Sequence, residues 1–242
     1  MAAAASAYLA WWELAGADCA ISEAPVDWLR PAQVARPVPV AGAPAAALLA
    51  PKPTTIESFR TWLAEDADQP ERRWPGSPIL PEGAAGAPLM VITDMPDPAD
   101  MAAGTLLTDR AGRLFDAMLA AIGLKRSDIY LASMFLVRPP GGMVEAADLA
   151  IAADRMRSHV ALAAPGKLLL LGDRTIRTFL PVQDNGLPVQ DNRRGDALHF
   201  FNHDGGTVPA LATFHPRLLL GQPAAKAECW RTLQRLIEEQ NK

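Results

Sequence analysis

Four short apolar runs, each followed by a stretch of helical periodicity, constrain this chain more than any other feature. PLMVIT (88–93), IYLASMFLV (129–137), KLLLLG (167–172) and VPALAT (208–213) read as buried strands. Between the first two, DRAGRLFDAMLAAIG (109–123) sets Leu114, Phe115, Met118, Leu119 and Ile122 on one helical face, with Gly123 as a stop. Val144 to Ala164 reads as a long helix closed by Pro165, DRTIRTFL (173–180) as a short one, and Pro223 to Gln240 as the last. This alternation predicts a three-layer α/β/α domain around a central four-stranded parallel sheet.

The N-terminal part has a different character. In MAAAASAYLAWWELAGADCA, Tyr8, Leu9, Trp11, Trp12 and Ala15 fall at helical spacing between a capping Ser6 and a terminating Gly16. The stretch lacks a basic leader and is interrupted by Glu13, so it reads as a short amphipathic helix rather than a secretory signal. Trp28-Leu29 follows, and then prolines at 31, 37, 39, 44, 51 and 53, which suit an extended linker and no regular element. The expected organisation is therefore a helical and Trp-containing segment (1–30), a Pro/Ala-rich linker (31–54) and an α/β domain (55–242). Thr54 and Glu57 predict a capping box ahead of IESFRTWLAED. Another Pro/Gly-rich stretch, Pro70 to Pro88, leads into the first strand, and LPVQDNGLPVQDN (180–192) repeats itself as a local duplication in a surface loop.

Composition narrows the function classes. Two cysteines, Cys19 and Cys229, exclude a disulfide scaffold and a zinc ribbon. No apolar run reaches the roughly 18 residues of a membrane span, and the cytoplasm, in association with the nucleoid, is the expected compartment. A net charge of −4 excludes a protein that coats nucleic acid by bulk charge, so any such contact must be local.

In an open parallel sheet, ligands bind beyond the carboxyl ends of the strands. That edge carries Thr93, Asp94, Met95 and Asp97 after the first strand, Arg138 after the second, Gly172 after the third, and Phe214 and His215 after the fourth. A carboxylate and an imidazole thus converge from separate loops, a pairing able to orient a water or stabilise opposite charges. The bland alternative is that Asp94 makes a turn and His215 is a loop residue before proline. His159, His199 and His203 fall on a helix and a variable loop and read as packed or solvated, with no metal-ligand spacing.

At these strand ends the chain resembles the uracil-DNA glycosylase superfamily, and within it the iron–sulfur-containing bacterial branch. The resemblance is carried by TDMPDPADMAAGTLLTDRAGRLFDAML (93–119), YLASMFLVRPPG (130–141), LLLLGDRTIRTFL (168–180), Arg194-Gly195 and ATFHPRLLL (212–220), in the family's order. It implies a fold that flips a nucleotide out of DNA and hydrolyses its N-glycosidic bond. On this resemblance Asp94 falls on the branch's acid and His215 on its base-stabilising histidine. Met95, Leu107 and Ser133 fall on substrate-binding positions, and Arg138, Arg194 and Arg217 are placed to clamp phosphates.

The same resemblance exposes departures. Leu107 stands for a stacking phenylalanine, Ser133 for a base-reading asparagine, Met95 for a small residue, and Thr93 and Asp97 for glycines. Val137 and Ala152 stand at cysteine positions of the cluster, so no iron–sulfur cofactor is expected. Stacking is worth about 1–3 kcal/mol, and a bidentate amide contact discriminates by a similar amount. These losses favour a DNA-repair or replication-associated protein of degenerate catalysis, acting as a binding or scaffold subunit. The psi subunit of the bacterial polymerase III clamp loader, similar in fold to these glycosylases, is a precedent. Trp11, Trp12, Trp28 and Leu29 are then the candidate partner-binding residues. An active glycosylase for uracil or another deaminated base is the alternative.

Overall fold

In a computed structural model of the chain, residues 53–180 and 198–240 are described. The N-terminal helix, the linker, Trp11, Trp12, Trp28, Leu29, Arg194 and nearly all of the duplicated segment lie outside them. The described elements run α1 (Ile56–Glu65), β1 (Leu89–Thr93), α2 (Pro98–Ala103), α3 (Asp109–Ala121), β2 (Ile129–Ser133), α4 (Ala146–Ala163), β3 (Leu168–Leu171), α5 (Asp173–Phe179), β4 (His199–His203), β5 (Gly206–Thr213), α6 (Pro216–Gly221) and α7 (Ala225–Gln240).

The strands form one five-stranded sheet in the order β2-β1-β3-β5-β4. Four of them are parallel, as the apolar runs predict, and β4 adds an antiparallel edge through its pairing with β5. The four-stranded expectation missed this strand because HFFNH alternates buried and exposed positions instead of forming an apolar run. Its signal was the Asp204-Gly205 turn, a common hairpin connection. His203 belongs to this hairpin, and its Nδ1 accepts from the Gly205 N–H at 3.0 Å. The other edge, β2, is covered at Leu131, whose backbone exchanges hydrogen bonds with Glu82.

Period-two alternation divides the core between the two faces. Leu89, Val91, Ile129, Leu131, Leu169 and Leu171 pack with Phe115, Met118 and Leu119 of α3, Leu219 of α6 and Leu233 and Leu236 of α7. Met90, Ile92, Ala132, Leu168 and Leu170 pack on the opposite side with Ala152, Met156 and Val160 of α4 and Ile176 of α5. Helix α1 begins one residue later than the sequence suggests. Its capping box joins Thr55 to Ser58 rather than Thr54 to Glu57.

The second strand also stops earlier than predicted, at Ser133 rather than Val137. Met134 and Phe135 donate their N–H groups to the carbonyls of Thr93 and Asp94 at 2.8 and 2.9 Å. The chain therefore turns across the carboxyl end of β1 and carries Arg138 over that edge. Among the described residues no helix is long and apolar enough to cross a membrane.

Candidate active-site cleft

Proline builds two of the structures that form the site. Pro98 and Pro216 each occupy the first turn of a short helix, where a missing N–H costs nothing. Asp97 and His215 precede them as the N-terminal caps of α2 and α6, so each stands where a strand has just ended. Gly172, with φ of 87°, makes the corresponding turn from β3 into α5. A Cβ at Gly172 would lie 3.5 Å from the Cβ of His215, which sets how closely these two loops approach.

The loops enclose a cleft of about 390 Å³ lined by, among others, Asp94, Met95, Asp97, Arg138, Arg174, Phe214 and His215. The strand-end rule and the resemblance thus agree on four residues that meet here: Asp94, His215, Met95 and Arg138. Arg217 stands beside them, its guanidinium on the Asp97 carboxylate.

Two predicted substrate-binding residues lie elsewhere. Leu107 is 1% exposed and packs in the apolar core with Phe115 and Leu119 rather than lining the cleft. Its φ of +53° is a left-handed conformation disfavoured for leucine. The Arg126 guanidinium holds that turn by donating to the carbonyls of Leu106 and Leu107. Ser133 is also buried, and its hydroxyl donates to the carbonyl of Phe135, two residues on. It serves the turn that ends β2 and does not line the cleft.

Sequence reasoning gave no role to Arg174, which reaches the Asp94 carboxylate at 2.7 Å from the first turn of α5. The signal was present, since α5 starts immediately after Gly172 at the end of β3. Asp94 Oδ2 takes that contact, while Oδ1 is buried with no protein partner. The Thr93 hydroxyl is likewise buried and unpartnered. A buried polar atom without a protein partner calls for one from solvent or ligand, and both residues line the cleft. Burial raises the Asp94 carboxyl above its ordinary range, against the opposing pull of Arg174, His215 and Arg138.

Burial, aided by the Arg217 cation, lowers His215 more than Asp97, Asp100 and Asp94 raise it. Its Nδ1 accepts from the Arg217 N–H at 3.2 Å, so the neutral ring carries its proton on Nε2. The cleft thus combines a partly restrained carboxylate, a neutral imidazole donor and an aromatic ring, Phe214. That set can polarise a water and stabilise a leaving anion.

The family model of the uracil DNA glycosylase superfamily matches residues 80–234. The chain belongs to that superfamily. It is also similar to a type-4 uracil-DNA glycosylase of Pyrobaculum aerophilum, with 19% identity over 173 residues, 71% of this chain and 88% of the relative.

The iron–sulfur cluster implied by the resemblance does not fit the residues present. A four-iron cluster takes four thiolates, whereas the sequence contains two cysteines. Val137 and Ala152, at the expected ligand positions, are buried apolar side chains. Cys229 packs in the core on the opposite side of the sheet from Ala152. Near Val137, the buried Glu71 carboxylate meets Arg155 of α4, which also reaches Gln69 and the Met134 carbonyl. Burial raises the Glu71 carboxyl, but Arg155 and the Leu136 N–H outweigh it and hold the group below its ordinary value.

Proposed function

We propose that this chain is a DNA-repair or replication-associated protein in which the glycosylase fold serves as a binding or scaffold subunit, with base excision weakened or lost. The observation that carries this reading is the Asp94–Arg174 ion pair. A carboxylate meant to activate water or steady a cationic sugar works best when its charge is not already neutralised. The locations of Leu107 and Ser133 support the same reading, because neither offers the cleft a contact to a base.

Replication or repair proteins are the proposed partners, engaged through Trp11, Trp12, Trp28 and Leu29. A tethered aromatic segment behind a proline-rich spacer gains effective concentration near the site its domain occupies. Affinity isolation of the full chain, followed by identification of the bound proteins, should recover replication or repair components that are lost when residues 1–30 are removed. Equal recovery of the same components without that segment would overturn the tether.

A second reading has its own observation. Asp94 Oδ1 is unpartnered and His215 is a neutral donor, both in one cleft with Phe214. In an active glycosylase the C1′–N bond would break with its electron pair leaving on the base, stabilised by His215. Water would then form the C1′–O bond and pass its proton toward Asp94. This reading requires base release that disappears in Asp94→Asn.

A further inference from the structure

Arg138 and Arg217 approach the cleft from separate elements, the loop after β2 and the first turn of α6. Their guanidiniums converge on a single carboxylate. Arg217 Nε lies 2.5 Å from Asp97 Oδ2, and Arg138 Nη1 lies 3.7 Å from Asp97 Oδ1. The arginine side chains are 51% and 33% exposed and the aspartate only 13%, so the carboxylate sits beneath cations that solvent can reach.

Asp97 is also held in place from its own side. Its N–H donates to Asp100 Oδ2 at 3.0 Å, and Asp100 Oδ1 accepts from both the N–H and the hydroxyl of Thr108 at 2.7 Å. Its carbonyl accepts from Met101 at 3.0 Å. One carboxylate oxygen accepts from Arg217 and the other lies at ion-pair distance from Arg138, so a single anion serves two guanidiniums of the kind that bind phosphate.

We propose that Asp97 is a built-in substitute for a nucleic-acid phosphate, occupying Arg138 and Arg217 and lowering the affinity of the cleft for a DNA backbone. The proposal rests on the DNA-facing reading of the cleft and deepens it. With Asp97 ionised the cluster presents one net positive charge instead of two. A phosphate entering it must share donors with a carboxylate fixed in position. Loss of that carboxylate frees the Arg217 guanidinium and leaves Arg138 with only the neutral Pro96 carbonyl, which accepts from its Nη1 at 3.2 Å.

Asp97→Asn separates this role from a purely structural one. Asparagine is as good a helix cap as aspartate but brings no charge. Binding of the full-length protein to a labelled single-stranded oligothymidylate is measured by fluorescence anisotropy from about 50 to 200 mM salt. Asp97→Asn is expected to bind at least about tenfold more tightly at low salt, with a log–log salt slope steeper by about one to two. Adding Arg217→Gln to Asp97→Asn is expected to remove most of the gain, and thermal melting of each variant reports that the fold is kept. Equal affinity and equal slope for wild type and Asp97→Asn would overturn the inference while leaving the DNA-facing reading intact. Absence of binding by both would overturn that reading, and the inference with it.

Discussion

His159 illustrates how a single residue ties sequence to stability here. It lies fully buried on α4, its Nε2 2.8 Å from the Tyr130 hydroxyl and its ring 4.7 Å from that of Phe59. Burial, reinforced by Arg155 and Arg60, lowers its pKa to about 3. The unfolded imidazole takes its proton near pH 6.5 and the folded one only near 3. Between these values the unfolded state binds more protons, so stability falls as pH falls, by up to about 1.4 kcal/mol per unit. Denaturant midpoints measured from pH 7 to 5, above the main carboxylate range, should therefore drop more steeply for wild type than for His159→Gln. Parallel curves would contradict a neutral buried ring. Packing was one of two readings open to this histidine in the sequence, and only its aromatic neighbours decide between them.

The element scale is where the chain departs furthest from the residue-by-residue expectation. The 3-10 turn Pro70–Arg73 and helix α4 are joined by Glu71 and Arg155, whose side chains are 3% and 4% exposed. Removing one partner of a buried pair leaves an uncompensated charge and costs about 3–5 kcal/mol, whereas replacing both with apolar residues is close to neutral. Glu71→Gln should accordingly lose most of that amount in urea unfolding, while Glu71→Leu combined with Arg155→Met should recover the greater part. Similar losses in both variants would show that the hydrogen bonds Glu71 and Arg155 make with Leu136, Gln69 and Met134, rather than the ion pair, set the cost.

The parallel strands and long helices were legible because apolar runs and helical periodicity are local signals. The β4 edge was missed although the Asp204-Gly205 turn marks it, because HFFNH carries no apolar run and gains its place only by pairing with β5. The cleft was half legible for a related reason. Asp94, Met95, Arg138 and His215 follow from strand ends, but the burial of Leu107 depends on a left-handed turn held by Arg126, nineteen residues away. Likewise, the Asp94–Arg174 pair joins the ends of two strands that neighbour one another in the sheet but not in the sequence.

At the scale of the whole molecule, a glycosylase-family fold carries a cleft whose arginines are matched by its own carboxylates. Arg174 meets Asp94, and Arg138 and Arg217 meet Asp97. A net charge of −4 supplies no compensating long-range attraction for DNA. At the positions where the resemblance implies cluster cysteines stand the buried Val137 and Ala152, and the Glu71–Arg155 ion pair ties the Pro70–Arg73 turn to α4 near Val137. Together these features support the proposed reading, in which the family's architecture is kept while the chemistry at its strand ends is muted.

Single-turnover release of free base from uracil-containing DNA, with protein in excess, tests that account most directly. Wild type and Asp94→Asn should give superimposable traces close to the protein-free blank from pH 5 to 9. A burst of uracil release by wild type that is absent from Asp94→Asn would contradict it and establish the cleft as a working active site.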